Sequence, residues 1–382
     1  MRRIGLGIGI ASLLALPFAL DFRIAPAAQP LSDAWRFTPI SPRGPTLLGI
    51  SFRPPQLEAL GLAPEPALRR LLAFPFQIIR LGAYWNRIER APGQFDTSEL
   101  DWQVEAAERA GKQIILGVGA LKTFSYPEFF VPAHRLVSPI PEHTLVSPTS
   151  HPVLLTAATT FIAQIIDRYK SHPGIIAWQV EHEAVDPLGL EHSWRLATAF
   201  VAQEVETVRQ TDSSRPIMLN GFLPTSLLGR LAQWWQTRDQ GDSLAVAREL
   251  ADIVGVDYYP RYAVAAFGGK ALYLDGTGSP WQRQLPRQLL ARAHDRQQKL
   301  MVSEGQAEPW ETVTVSPNPA EQNMYSCRPE QIIHNYNAWL RWSSRDAALY
   351  AYLFWGAEYW LLRERSGDLS YLQAFARILE NA

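Results

Sequence analysis

Ile175-Ile-Ala-Trp-Gln-Val-Glu-His-Glu183 is a short apolar run that stops on two acids and a histidine. Seven further runs share its shape, each bounded by turn residues: Leu47–Phe52, Gln77–Gly82, Gln113–Val118, Pro216–Asn220, Ile253–Tyr258, Leu300–Glu304 and Leu349–Trp355. Between them lie stretches of helical period, namely Thr97–Ala110, Leu154–Tyr169, Ser193–Arg209, Ser243–Leu250, Pro286–Gln298 and Pro329–Ser343. Alternation of strand and helix predicts a parallel sheet with crossover helices. Eight such units over residues 47–382 predict an α/β protein with a single catalytic domain, a (β/α)8 TIM barrel. An open doubly wound sheet is the alternative. It would carry a glycine-rich turn after its first strand, but Leu47-Leu-Gly-Ile-Ser-Phe52 runs into Arg53-Pro-Pro and no GxGxxG follows.

Composition narrows the function classes. Of 382 residues, 47% are hydrophobic and 19% charged, which suits a large core and excludes a disordered chain. A net charge of -1 argues against a nucleic-acid partner, which calls for a basic surplus or stripe. Cys327 is the sole cysteine, so neither an intramolecular disulfide nor a cysteine-based zinc cluster can form. No protein partner is evident.

The chain opens Met1-Arg-Arg, continues through an apolar run from Ile4 to Leu20, and closes that run with Asp21 and Arg23. Residues 1–28 therefore read as a secretory signal peptide or a membrane anchor, with Ala25-Pro-Ala27 as a small-x-small cleavage pattern. The expectation is an exported protein: periplasmic, extracellular or membrane-anchored. Residues 29–46 read as a linker. Phe124–Pro152, after the third strand, is the longest irregular stretch and is expected to be a lid or binding wall.

In a barrel, chemistry stands at the C-terminal ends of strands. Trp178-Gln-Val-Glu-His-Glu183 ends the fourth run and Leu300-Met-Val-Ser-Glu304 the seventh. Glu183 and Glu304 are thus expected to face each other across the barrel mouth. Two carboxylates flanking one bond are what glycoside hydrolysis requires: one protonates the leaving oxygen, the other attacks or activates water. Glu181, two residues before Glu183, falls on the same face of a regular strand. Arg80 is placed to hold a carboxylate ionised. Trp85 and Trp355 offer flat faces for sugar rings. Tyr258 and Tyr259 end the sixth run, and Glu308 and Trp310 follow the seventh.

These residues bear a resemblance. Ile79-Arg-Leu-Gly-Ala-Tyr-Trp-Asn-Arg-Ile-Glu-Arg-Ala-Pro-Gly-Gln-Phe-Asp96, the Glu-His-Glu183 strand end, Ser303-Glu304-Gly-Gln306 and Phe354-Trp355-Gly-Ala-Glu-Tyr-Trp360 together resemble the clan A retaining glycoside hydrolases. That superfamily holds cellulases, β-mannanases, β-xylosidases and β-galactosidases. The resemblance covers roughly residues 47–360. It implies a retaining β-glycosidase acting on a carbohydrate without cofactor or metal, with Glu183 as acid/base and Glu304 as nucleophile. It also implies a tyrosine donor to the nucleophile, Tyr259 by its Asp257-x-Tyr259 spacing, and Trp355 as floor of the sugar site. One departure stands out: His182 occupies the place where the family usually carries an asparagine that bonds the sugar 2-hydroxyl. Two other readings compete: a metal-dependent hydrolase using Glu181, His182 and Glu183, and a non-catalytic carbohydrate-binding barrel derived from an enzyme.

Overall fold

The computed structural model describes residues 21–125, 128–187, 192–278, 281–311, 321–344 and 346–381. Eight parallel strands close into a barrel: β1 (Leu47–Ser51), β2 (Ile78–Gly82), β3 (Gln113–Gly117), β4 (Ile175–Gln179), β5 (Ile217–Phe222), β6 (Ile253–Tyr258), β7 (Lys299–Gln306) and β8 (Ala351–Trp355). Each strand pairs with its neighbour in chain order, and β8 pairs with β1 to complete the ring. The TIM-barrel expectation is borne out, and every expected strand has its counterpart.

Period two along these strands builds the interior in layers. Ile78, Ile115, Ala177, Met218, Ile253, Met301 and Ala351 form one apolar cluster low in the barrel. Two residues further along their strands stand Arg80, Gln179, Asn220 and Ser303, all buried. The barrel therefore changes from apolar to polar within a single step of the pleat, and that polar layer carries the site. The outer faces of the strands are apolar too, because helices cover them.

The six expected helices appear as Ser98–Arg109, Pro152–Tyr169, Thr198–Thr211, Ser243–Leu250, Trp281–Asp295 and Pro329–Trp342. The third starts later than expected. Arg195–Leu196 pairs in parallel with Leu145–Val146, and that extended pairing delays the helix to Thr198. Further helices at Pro64–Leu72, Leu227–Thr237, Ala357–Arg365 and Ser370–Asn381 were not read from the sequence. The described part of Phe124–Pro152 is a packed wall. Phe129 lies against Trp194, Trp194 Nε1 donates to Ile140 O at 3.1 Å, and Arg135 pairs with the buried Glu89.

From Asp21 onward the N-terminal part of the chain packs into the fold. Residues 1–20 lie outside the described residues. Phe22–Pro26, however, is a strand antiparallel to Lys270–Asp275, which itself forms a hairpin with Arg261–Phe267. Ala28–Pro30 pairs with Gln322–Met324. Ala25-Pro26-Ala27 thus sits within paired backbone. The expected linker also packs: Trp35 is buried, and Asn337 Oδ1 accepts from Ser41 N at 2.7 Å. Among the described residues no helix is long and apolar enough to cross a membrane.

Two truncations separate these roles. A chain starting at Asp21 keeps the edge strand, whereas one starting at Leu31 loses both short strands. The second should melt several degrees lower in a calorimetric scan, at about 2–4 °C for each kcal/mol lost. Equal melting temperatures would show that the edge strand contributes nothing.

Candidate active site

At the top of the barrel lies a cavity of about 520 Å³ whose walls include Glu183, Glu304, His182, Tyr259, Trp355 and Trp310. Glu304, near the end of β7, is gripped on both oxygens. Arg80 Nη2 donates to Oε1 at 2.5 Å and the Tyr259 hydroxyl donates to Oε2 at 2.6 Å. Arg80 reaches this point from β2 with no exposed surface, and it also donates to Ser303 O at 3.1 Å. Its guanidinium lies 3.8 Å from the centre of the Phe124 ring.

Glu183 comes to the same cavity by a different route. β4 ends at Gln179, four residues earlier than the run suggested, because Glu181 and Glu183 take left-handed backbone conformations at φ 53° and 44°. Such angles are uncommon outside glycine and cost about 1–3 kcal/mol each. The turn is held by Lys122, which is fully buried and donates to Glu183 O at 2.9 Å and Asp186 O at 3.3 Å.

That turn corrects the expectation that Glu181 and Glu183 share a face. Glu181 turns away and accepts from the backbone N–H groups of Leu121 and Lys122, at 2.9 Å and 2.5 Å. Behind it stands Glu204, whose carboxyl is held well above the usual range by burial and by Glu181. Gly119 makes the approach feasible, since a Cβ there would lie 2.0 Å from Glu181 N.

A second buried network sets the protonation of the site. Asn220 accepts from Gln179 Nε2 at 3.0 Å through Oδ1, so its amide nitrogen faces His182 Nδ1 at 2.9 Å and Asp257 Oδ2. A donor opposite Nδ1 fixes that nitrogen as acceptor and leaves Nε2 carrying the ring hydrogen. Burial, with Arg80 and Lys122 nearby, holds the His182 pKa well below its ordinary value, so the ring is neutral. Asp257 also accepts from Ser303 Oγ at 2.7 Å and from Glu183.

The two glutamates are thereby set apart. Burial, then the Asp257 charge, pushes Glu183 well above the usual carboxylate range. Asp257 is itself raised, by burial first, and receives donors from Ser303, Asn220 and Glu183. Glu304 is raised to about 7, by burial first and Asp257 next, against the pull of Arg80 and Tyr259. Such divergence between neighbouring acids is how one site acquires an acid and a base.

His182, Glu183 and Asp257 also bring ligand-type atoms within 4.8 Å of one another. Asn220 directs its amide nitrogen at two of the three, an arrangement that suits proton sharing and would repel a cation.

Of the residues expected from the sequence, Arg80, His182, Glu183, Tyr259, Glu304, Glu308, Trp310 and Trp355 come together here. Two do not. Trp85 is fully buried away from the cavity, stacked on Phe161 at 5.2 Å, with its indole N–H donated to Glu89 Oε2. Tyr258 points outward against Trp339 and Trp342, since consecutive strand residues face opposite ways and Tyr259 takes the inner side.

The reading missed Arg53, Lys122 and Asn220, and it gave Asp257 no role. Arg53 follows β1, binds Glu358 and Glu308, and lies 3.9 Å from the centre of the Trp355 ring, fixing the cavity floor. Asn220 stood at the end of an expected strand, so its position was a usable signal. Lys122 lies in a loop, where no pattern marks it.

With this geometry in view, comparison with known proteins is informative. The β-galactosidase family Glyco_hydro_42 matches residues 67–200. A β-galactosidase of Geobacillus sp. (strain Y412MC61), BgaB, is 30% identical over 115 residues, which cover 28% of this chain and 17% of that protein. The chain thus matches well under two thirds of the length of this curated relative. Among solved structures, GH5_18 from Streptomyces cattleya in complex with GlcNAc aligns with a TM-score of 0.55 at 12% identity, covering 88% of this chain and 81% of that one. A Thermobacillus composti GH10 xylanase aligns at 0.50 and 13%, covering 88% and 97%. The fold is a (β/α)8 barrel like those of these glycoside hydrolases, and the partial family match agrees with the clan A resemblance read from the sequence.

Carboxyl titration by carbon-13 NMR tests the proton distribution. Glu304 should titrate near 7, and Glu183 well above the ordinary carboxylate range. Asp257→Asn removes the charge that holds the proton on Glu183, so the Glu183 titration should move to lower pH. A Glu183 midpoint that stays put or rises would contradict the assignment.

Proposed function

We propose that this protein is a retaining β-glycoside hydrolase working by double displacement, with Glu304 as nucleophile and Glu183 as acid/base. One observation carries the reading: both carboxyls line a single cavity, Glu304 bound by Arg80 and Tyr259, with burial and the Asp257 charge pushing Glu183 well above the usual carboxylate range. The partial match to a β-galactosidase family supports it.

In the first step a Glu304 oxygen attacks the anomeric carbon while the Glu183 proton passes to the departing glycosidic oxygen. The bond to the leaving sugar breaks and a glycosyl ester of Glu304 forms. Glu183, now a carboxylate, takes a proton from water. The water oxygen attacks the anomeric carbon and Glu304 leaves, so the configuration is retained. Arg80 and Tyr259 hold the nucleophile and stabilise it again on departure. His182 Nε2–H takes over the donation to the sugar 2-hydroxyl that the family's asparagine makes. The sugar ring lies on Trp355, with Trp310, stacked on Tyr259 at 5.0 Å, beside it. β-Galactosides and β-xylosides, named by the relatives and fold neighbours, are the first substrates to try.

Azide separates the two roles. Glu304→Gln should abolish turnover of every substrate, since a neutral amide cannot form the ester. Glu183→Gln should slow poor leaving groups by about 10²–10⁴-fold and activated aryl glycosides less in the first step. Azide should restore the Glu183 variant and yield the β-glycosyl azide, whereas a Glu304→Ala variant should yield the α-azide. The same anomer from both variants, or unchanged activity in both, would overturn the assignment.

A further inference from the structure

The helix Leu227–Thr237, which follows β5, is folded inside out. Its buried residues are the polar Gln233 and Thr237, while Leu228, Leu231, Trp234 and Trp235 are 40%, 45%, 62% and 60% exposed. Gln233 turns inward to bond Phe222 O at 3.1 Å. The apolar stripe consequently faces solvent beside the cavity mouth, which Phe222 lines.

Basic residues flank the stripe. Arg238 stacks on Trp235 at 3.9 Å. Arg230, Arg238, Arg248 and Arg292 border a neighbouring cavity of about 430 Å³. Asp242, which also borders it, is engaged in capping Ala245 N at 2.7 Å.

The chain outside the described residues ends at this same place. Asp21 Oδ2 accepts from Leu227 N at 2.9 Å, at the first turn of the helix, and Asp275 N donates to Asp21 O at 2.7 Å. The apolar run Ile4–Leu20 therefore precedes a residue fixed at the first turn of the helix that carries the exposed tryptophans.

From this conjunction we infer that the Leu228–Trp235 face docks on a lipid bilayer, with Ile4–Leu20 as the membrane anchor and the catalytic mouth held at the headgroup surface. Tryptophan favours the membrane–water interface, and an interfacial helix buries such an apolar face while its arginines meet anionic headgroups. Asp21 is bonded to both Leu227 and Asp275, so an anchor on Ile4–Leu20 acts together with the helix by holding it near the surface.

The test uses the full-length chain in vesicles of phosphatidylcholine and phosphatidylglycerol. A nitroxide is attached at Trp235→Cys or, independently, Trp234→Cys, and at Glu105→Cys, an exposed residue of the helix Ser98–Arg109, as reference; Cys327 is buried and does not compete. Retained melting temperature shows that each variant folds. Docking predicts that labels at 234 and 235 collide more with oxygen and several-fold less with an aqueous nickel complex than the label at 105. Equal nickel access at all positions would overturn the proposal. Shielding from oxygen and nickel alike would also overturn it, because the stripe would then be covered by protein, either residues 4–20 or a second copy.

Discussion

The site is organised by one buried ion pair, Arg80 with Glu304. A guanidinium with no exposed surface in a barrel interior is costly unless a counter-charge and further acceptors meet it. Glu304 supplies the charge and Ser303 O an additional acceptor. Reciprocally, Glu304 needs Arg80 to counter the burial that would otherwise keep it protonated. Removing either partner leaves an uncompensated charge, a loss of about 3–5 kcal/mol in comparable pairs. Position and protonation are therefore one property here.

Around that pair the remaining groups sort by charge. Lys122 sits beside Glu128 at 3.5 Å, Asp257 takes hydrogen bonds from Ser303 and Asn220, and His182 is neutral. Against this background Glu183 is the acid whose ionisation would be least compensated. The same low dielectric that strengthens the Arg80 bond thus disfavours the charged form of its neighbour. No individual residue encodes the difference between the two glutamates; their surroundings do.

Much of this was readable along the chain. Strands are local, period-two objects, so their positions and the residues at their ends could be read, and with them Arg80, Glu183, Glu304 and Trp355. What failed to read was set by contacts distant in sequence or by departures from regular backbone. Trp85 looked like a sugar platform, yet its indole N–H belongs to Glu89 four residues on. Glu181 seemed to share a face with Glu183 until two left-handed residues broke the alternation. Lys122 and Arg53 matter through partners that only tertiary structure supplies, and the helix Leu227–Thr237 hides because its apolar face points the wrong way for a core.

The contact of Gly119 with the Glu181 turn bears on how such a barrel diversifies. Backbone meets backbone there at a distance that admits no side chain, so this level of the fold is closed to change. The wall through residues 128–152 and the hairpin of Arg261–Phe267 with Lys270–Asp275 lie outside the barrel strands and meet no such limit there. New specificities can accordingly be written in the rim while the carboxyl pair stays where it is, as lettering can be altered on a dial whose axle is fixed.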